Sequence, residues 1–153
     1  MAKKEFRDPN ELIQAILKVL QEAEYTILGR VGEEGKNILS LLFKSEGRYL
    51  GVEWKPLKPE YLSWKIKKGF SEKKLHKTTT LARSFTYQVQ NHKVVIGTNV
   101  KSDRNGFPYP AAMEFGTRRG VPARPFMSPT KEELEKRLPK IAEQTLKELL
   151  GEG

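Results

Sequence analysis

The chain has 153 residues, a net charge of +9 and an apolar fraction of 37%, which suits one soluble domain with a large charged surface. It contains no cysteine, which excludes disulfides, thiolate catalysis and cysteine metal sites, and its two histidines, His76 and His92, lie apart in polar settings. We therefore expect neither a metal nor a cofactor. MAKKEFRDPN lacks the apolar core of a signal peptide, and no run approaches the roughly 18 apolar residues of a membrane span, so we expect a cytoplasmic protein without membrane contact.

The N-terminal segment carries the start signal of a helix. Asp8 supplies an N-cap, followed by a proline at the first helical position and a capping-box glutamate. Apolar residues then recur at three- and four-residue spacing to about Val31. Gly32 and Gly35 weaken or break this pattern, which resumes and runs to a C-terminal cap at Gly47. The pattern leaves open whether this is one bent helix or two.

Residues 48–79 follow no regular pattern, apart from a short helix that Pro59 would open over Glu60–Lys68. Trp54 and Trp64 are interpreted as packing anchors. Stacking of these indoles on nucleobases is the less favoured alternative.

The period changes in TLARSFTYQVQ, residues 80–90, where apolar and polar side chains alternate and predict a half-buried strand. Asn91 and His92 form a short turn. KVVIGTNV, residues 93–100, predicts a second strand, so the pair forms an antiparallel hairpin. The composition of residues 101–108 indicates a loop.

The C-terminal part predicts two helices. YPAAMEFG is compatible with a short helix that Gly116 ends. A capping box of Thr130 and Glu133 then opens the last helix, which runs to Gly151 with a kink or a split at Pro139. The order of elements predicts an α+β fold, a single domain over residues 1–153 in which long N- and C-terminal helices pack on a small antiparallel sheet.

Most of the positive charge is spread along the chain and is interpreted as a solvated surface. One dense block is the possible basic patch, and it consists of Lys65, Lys67, Lys68, Lys73, Lys74 and Lys77. The alternative function is therefore a nucleic-acid-binding module that uses this patch. Such a module would lose DNA affinity steeply with rising salt.

No convincing catalytic set occurs in the sequence, so we expect no enzyme activity. No GxSxG element precedes a helix to supply a serine nucleophile, and neither GRVGEEG nor GTRRG is followed by the Gly-Lys-Ser/Thr of a P-loop. Near the hairpin, Asp103 and Glu114 are the acids available for metal-assisted chemistry, and no matching motif follows them.

The stretch AAMEFGTRRGVPARPFMS, residues 111–128, combines a turn with three arginines and two prolines. Gly116 and Gly120 permit positive φ, so GTRRG is a turn, and Pro122 and Pro125 stiffen the second half of the stretch into an extended shape. On these residues alone the stretch is a phosphate-binding loop, a catalytic loop or a rigid structural turn.

The neighbours of this turn favour a structural role. Glu114 and Arg124 could reach each other across its base, and Phe115 and Phe126 could both point inward. The exposed tip would then hold Arg118 and Arg119.

Three stretches resemble the phage virion morphogenesis and tail-completion proteins, including those of Mu-like prophages. The most specific is YPAAMEFGTRRGVPARPFMSP, and WKPLKPEYLSWK and LHKTTTLARSF precede it in the family's order. Together they span Trp54 to Pro129, about half of the chain. Met113 stands where the family often has a histidine, and Thr79 and Thr80 stand where it usually has a threonine-glycine step.

The resemblance implies a non-enzymatic assembly protein at the head-proximal end of a phage tail or at the neck. It implies a homo-oligomeric ring, hexameric in the family, that meets tail-tube, terminator and neck proteins, first in the host cytoplasm and then in the virion. A ring subunit needs two different complementary faces, and we expect the 116–122 turn to contact a neighbouring subunit or the tail tube. The candidate interface residues are Glu114, Phe115, Gly116, Thr117, Arg118, Arg119, Pro122, Arg124, Pro125 and Phe126.

Overall fold

A computed structural model of the chain describes residues 8–55, 67, 80–101, 109–118, 120 and 122–151. It confirms the α+β fold, with long N- and C-terminal helices and a small antiparallel sheet. The elements in chain order are α1 (Pro9–Lys44), a 3₁₀ turn (Arg48–Leu50), α2 (Thr80–Arg83), β1 (Thr86–Gln90), β2 (Lys93–Gly97), α3 (Tyr109–Phe115) and α4 (Met127–Leu149). The predicted helix over Glu60–Lys68 lies outside the described residues, apart from Lys67.

The first helix begins where the sequence predicts. The Asp8 carboxylate accepts a hydrogen bond from the Asn10 backbone N–H at 3.0 Å, which satisfies one of the free donors of the first turn. The helix then continues for 36 residues to Lys44, roughly 54 Å. Past its end, Gly47 has a φ of 92°, and its N–H donates to the Leu42 carbonyl at 2.8 Å. The C-terminal stop near Gly47 is therefore confirmed.

Two glycines inside α1 serve close packing and do not break the helix. A Cβ added at Gly32 would overlap the ring of Tyr87, and one added at Gly35 would overlap the end of the Ile96 side chain. The hairpin therefore lies directly on the helix backbone at these positions. The sequence left open whether this segment is one helix or two, and the structure shows one continuous helix, Pro9–Lys44.

The hairpin is shorter than predicted. Asn91 and His92 both have positive φ, 50° and 62°, as a two-residue hairpin turn requires, and Thr86 pairs with Gly97 at the open end. The predicted strand over 80–90 is wrong in its first half, where Thr80–Arg83 is a helical turn. The second predicted strand ends at Gly97 rather than at residue 100.

The main core is an aromatic cluster beside the C-terminal half of α1. The Phe43 ring lies 5.4 to 5.7 Å from the ring centroids of Trp54, Phe85 and Phe126. Trp54 is buried, which confirms it as a packing anchor, whereas Trp64 lies outside the described residues. The buried members of the cluster are Leu39, Leu42, Phe43, Trp54, Leu81, Phe85 and Phe126.

The C-terminal helix packs antiparallel to α1. Arg30 donates to the buried Thr145 hydroxyl at 3.0 Å and pairs with Glu148 at 2.5 Å. One turn further along α1, Glu34 pairs with Arg137 of α4. Arg137 also donates to the Tyr49 hydroxyl at 3.1 Å, and this hydrogen bond, together with its acidic partners, raises the pKa of Arg137 further above its ordinary value.

The last helix differs from the prediction at its start, and of the two outcomes predicted at Pro139, a kink or a split, the split does not occur. It begins at Met127, before the predicted cap, and the Thr130 hydroxyl donates to the Phe126 carbonyl at 2.6 Å from inside the helix. Pro139 is exposed and lies within a helix that continues through it from Met127 to Leu149. Its missing N–H therefore does not split the helix.

Candidate assembly turn

The short helix α3 leads directly into the predicted turn at residues 116–122. The helix ends at Phe115, and Gly116, with a φ of 76°, donates its N–H to the Ala112 carbonyl at 2.8 Å. Gly120 has a φ of 96° and donates to the Thr117 carbonyl at 3.2 Å. Both glycines therefore occupy the left-handed region that the prediction of a turn required.

The carboxylate of Glu114 caps the N-terminus of α4. Its Oε2 accepts from the backbone N–H groups of Phe126 at 2.7 Å and Met127 at 2.9 Å. Its Oε1 accepts from the Ser128 N–H at 3.0 Å and from the Ser128 hydroxyl at 2.9 Å. Helix N-termini carry free N–H groups and a partial positive charge, so a buried carboxylate is well matched to this position. Glu114 thus fixes α4 to the end of α3.

Arg124 fixes the C-terminal side of the turn. Its backbone N–H donates to the Met113 carbonyl at 2.7 Å, and its Nε donates to the Lys55 carbonyl at 3.0 Å. The side chain is buried, with 6% of its surface exposed. The predicted link to Glu114 is different in the structure, because none of the ion pairs between described residues joins these two side chains. Each braces the turn through its own partner.

The end of the turn is held by the aromatic core. The Trp54 indole N–H donates to the Pro125 carbonyl at 2.9 Å, and the next residue, Phe126, is 1% exposed within the cluster. The Phe85 and Phe126 rings lie 5.7 Å apart. The base of the turn therefore moves only if the main core moves.

The tip of the turn points into solvent. Phe115 is 77% exposed, which corrects the prediction that it could point inward. It is the last residue of α3, and because adjacent helical side chains point about 100° apart, Phe115 does not share the buried face of Glu114. Thr117, Arg118 and Gly120 are exposed as well, whereas Pro122 and Pro125 are half-buried. Arg119 lies outside the described residues.

Sequence reasoning missed several partners of this site. The Lys55 carbonyl and the Ser128 N–H and hydroxyl carry much of the bracing, and neither residue was singled out. A signal for Ser128 was present, because serine is a residue that often satisfies helix N-termini. The Lys55 carbonyl is a backbone group, so no residue type marks it.

The predicted basic patch lies almost wholly outside the described residues. Of its six lysines, Lys67 is described, and it is exposed. A nucleic-acid-binding role for the patch stays a prediction.

Two other features, a metal site and a membrane-spanning helix, are absent from the described part of the chain. No three histidine, aspartate or glutamate side chains in those ranges are placed to hold a metal ion. Among the same residues, no helix has the length and apolar character needed to cross a membrane.

Comparison with known proteins gives one family and one curated relative. The model of the phage virion morphogenesis family matches residues 6–147. An uncharacterized protein of Methanocaldococcus jannaschii is 33% identical over 99 residues, which is 64% of this chain and 71% of that protein. No solved structure gives a significant match.

Proposed function

The chain belongs to the phage virion morphogenesis family, and we propose that it is a non-enzymatic tail-completion or head-tail joining protein that acts as a ring at the head-proximal end of the tail. Membership makes it a protein of virion assembly. In the proposed role it assembles in the host cytoplasm and stays in the tail or neck of the mature particle. Its partners are further copies of itself, in a ring that is hexameric by family resemblance, together with proteins of the tail tube, the terminator and the neck.

The observation that carries the proposal is the contrast between the base and the tip of the 116–122 turn. Buried groups hold the base through Glu114, Arg124 and Phe126, whereas Phe115 at the end of α3 and Arg118 within the turn are exposed. Aromatic and arginine side chains are enriched among the residues that dominate binding energy, and a rigid support reduces the entropy lost on binding. The turn therefore has the build of a preorganised contact element.

The role is tested by electron microscopy of phage tails assembled without the protein. We expect tails of normal length that fail to join heads, because a completion protein acts after the tube has formed. Normal infectious particles would refute the role. Tails of abnormal length would also count against it, since they would assign the protein to tube assembly.

The contact by the turn is tested separately with Phe115→Ser. Removal of an exposed ring leaves the stability of the monomer almost unchanged, whereas loss of a central aromatic contact costs about 2 kcal/mol or more of binding. The matched control is Tyr25→Ser, because Tyr25 is 67% exposed and lies on α1, away from the turn. We expect Phe115→Ser alone to fail to complement a phage that lacks the gene. Equal complementation by both variants would remove the turn from the interface.

A further inference from the structure

The N-terminal turns of α1 carry an apolar surface that the described residues of the chain leave uncovered. We define residues 9–22 as the N-terminal arm, roughly 20 Å long. Its large apolar side chains are each between 42% and 56% exposed, and they are Leu12, Ile13, Ile16, Leu17, Val19 and Leu20. The first residue of α1 that is buried is Ala23. Isolated exposed apolar residues are common, but six on four turns of one helix form a contiguous patch.

These six side chains share one face of the helix. At 3.6 residues per turn they fall within an arc of about 160°, and the charged residues Glu11, Lys18 and Glu22 lie on the opposite side. The apolar face of the arm therefore contains no charge. Ile13, Ile16, Leu20, Ala23 and Ile27 also alternate steps of three and four residues, which is the spacing of a helix that packs along another helix.

This face is the continuation of the surface that α1 uses inside the body. Ile27 and Val31 pack in the second core cluster with Leu134 and Ile141 of α4. Because α4 ends at Leu149, beside the base of the arm, the covering helix runs out where the arm begins. The end of α4 is also apolar and exposed, at Leu149 and Leu150. A single surface thus passes from the arm to the end of α4.

We propose that a second copy of this chain covers this surface, with the two arms packed antiparallel about a twofold axis. The partner arm then occupies the line along which α4 would continue. A parallel arrangement is excluded by sterics, because it would place the partner's body in the space that α4 fills. In the antiparallel pair, each arm tip at Leu12 meets the other copy's α4 end at Leu149, so both exposed sets are buried by one symmetric contact.

The proposed arm contact is independent of the turn and of the proposed phage role. Met113 of α3 packs against the core around Leu42, roughly 39 Å along α1 from Ile16. The turn therefore stays accessible in the arm-paired dimer, and either contact can be lost without the other.

The solution mass of the purified full-length protein tests the proposal. We expect light scattering behind size exclusion to show a dimer that dissociates on dilution. Ile16→Gln/Leu20→Gln places two polar amides in the seam and is expected to raise the dimer dissociation constant at least about tenfold. The matched control Gln14→Ala/Gln21→Ala changes the polar face of the same turns and should leave that constant unchanged. Circular dichroism should show both variants folded, because the altered side chains are exposed.

Cysteine cross-linking tests the orientation, and the natural chain is suited to it because it has no cysteine. Leu17→Cys lies near the middle of the arm, and a short bismaleimide should cross-link it to the same cysteine in the second copy. Leu12→Cys alone should not, but should cross-link when mixed with Leu149→Cys. Self-cross-linking of Leu12→Cys as fast as that of Leu17→Cys would overturn the antiparallel pairing. A wild-type protein that is monomeric at all concentrations, or equal dimer constants for the seam and control variants, would overturn the contact itself.

Discussion

The sharpest test of the braced turn is Glu114→Gln, which keeps the size of the side chain and changes its hydrogen-bonding capacity. The carboxylate accepts four hydrogen bonds from Phe126, Met127 and Ser128, two at each oxygen. A glutamine offers one acceptor oxygen, so two donors lose their partner. The Ser128 hydroxyl can rotate and accept from the new amide, which leaves one backbone N–H unsatisfied in the best orientation.

The number of hydrogen bonds lost sets the expected fall in the free energy of unfolding. A hydrogen bond to a charged group contributes about 1.5–3 kcal/mol, and a negative charge at a helix N-terminus contributes about 0.3–1 kcal/mol, more where it is partly buried. We therefore expect Glu114→Gln to lower the free energy of unfolding by about 2–4 kcal/mol. For a chain of this length that corresponds to a fall in Tm of about 5–15 °C.

Urea unfolding followed by circular dichroism measures this change. Ser128→Ala is the matched control, because it removes one of the four hydrogen bonds and leaves the carboxylate in place. Because Ser128 is exposed and water can replace its hydroxyl, we expect a cost of only about 1 kcal/mol. If Glu114→Gln and Ser128→Ala are destabilised equally, or if Glu114→Gln unfolds within about 1 kcal/mol of the wild type, the carboxylate does not cap α4 as described.

Four further variants test the fold by the same unfolding measurement. Gly32→Ala should lower the free energy of unfolding by about 1–3 kcal/mol, because the new Cβ overlaps the ring of Tyr87 in the hairpin. Gly29→Ala is its control and should raise this free energy by up to about 1 kcal/mol, because a Cβ there meets no atom within 4 Å. A gain at both sites would contradict the close packing of the hairpin on α1. Trp54→Phe removes the indole donor and should cost about 1–3 kcal/mol, and an unchanged stability would mean that its hydrogen bond to the turn is immaterial. Arg137→Met should cost less than about 1 kcal/mol because its ion pairs are about one third exposed, and a larger loss would show a cooperative network.

The local signals of the sequence predict local structure well. The start of α1 at Asp8, its end near Gly47 and the turn at Asn91 and His92 all depend on a few adjacent residues, and all are confirmed. Each of these features is a backbone geometry that a particular residue type favours. No distant partner is needed to determine them.

The errors arise where a distant partner decides the outcome. Gly32 weakens an isolated helix, but here it makes room for Tyr87, which lies 55 residues later in the chain. The spacing of Leu81 and Phe85 fits both an alternating strand and one turn of helix, and both side chains reach the core from a helical turn and its exit. A local period cannot distinguish these cases, because packing against α1 selects between them.

At the candidate site, too, local residue types predict one part of the structure and a distant contact decides the other, here for the adjacent residues Glu114 and Phe115. Residue types predicted a turn at Gly116 and Gly120, but whether Glu114 paired with Arg124 or capped α4 depended on where the first turn of α4 came to lie. Once that helix packs on α1, its free N–H groups draw the carboxylate inward. The same rotation of α3 directs the next side chain, Phe115, into solvent.

This opposition between neighbours makes stability and contact separable by experiment. Glu114 and Phe115 differ by one position, yet Glu114 is 7% exposed and accepts four hydrogen bonds, whereas Phe115 is 77% exposed at the start of the turn. A change at the first acts on the folded chain through α4, and a change at the second acts on what the folded chain can bind. If the turn is a contact element, Phe115→Ser impairs assembly at full stability, whereas Glu114→Gln impairs assembly only to the extent that it unfolds the base of the turn.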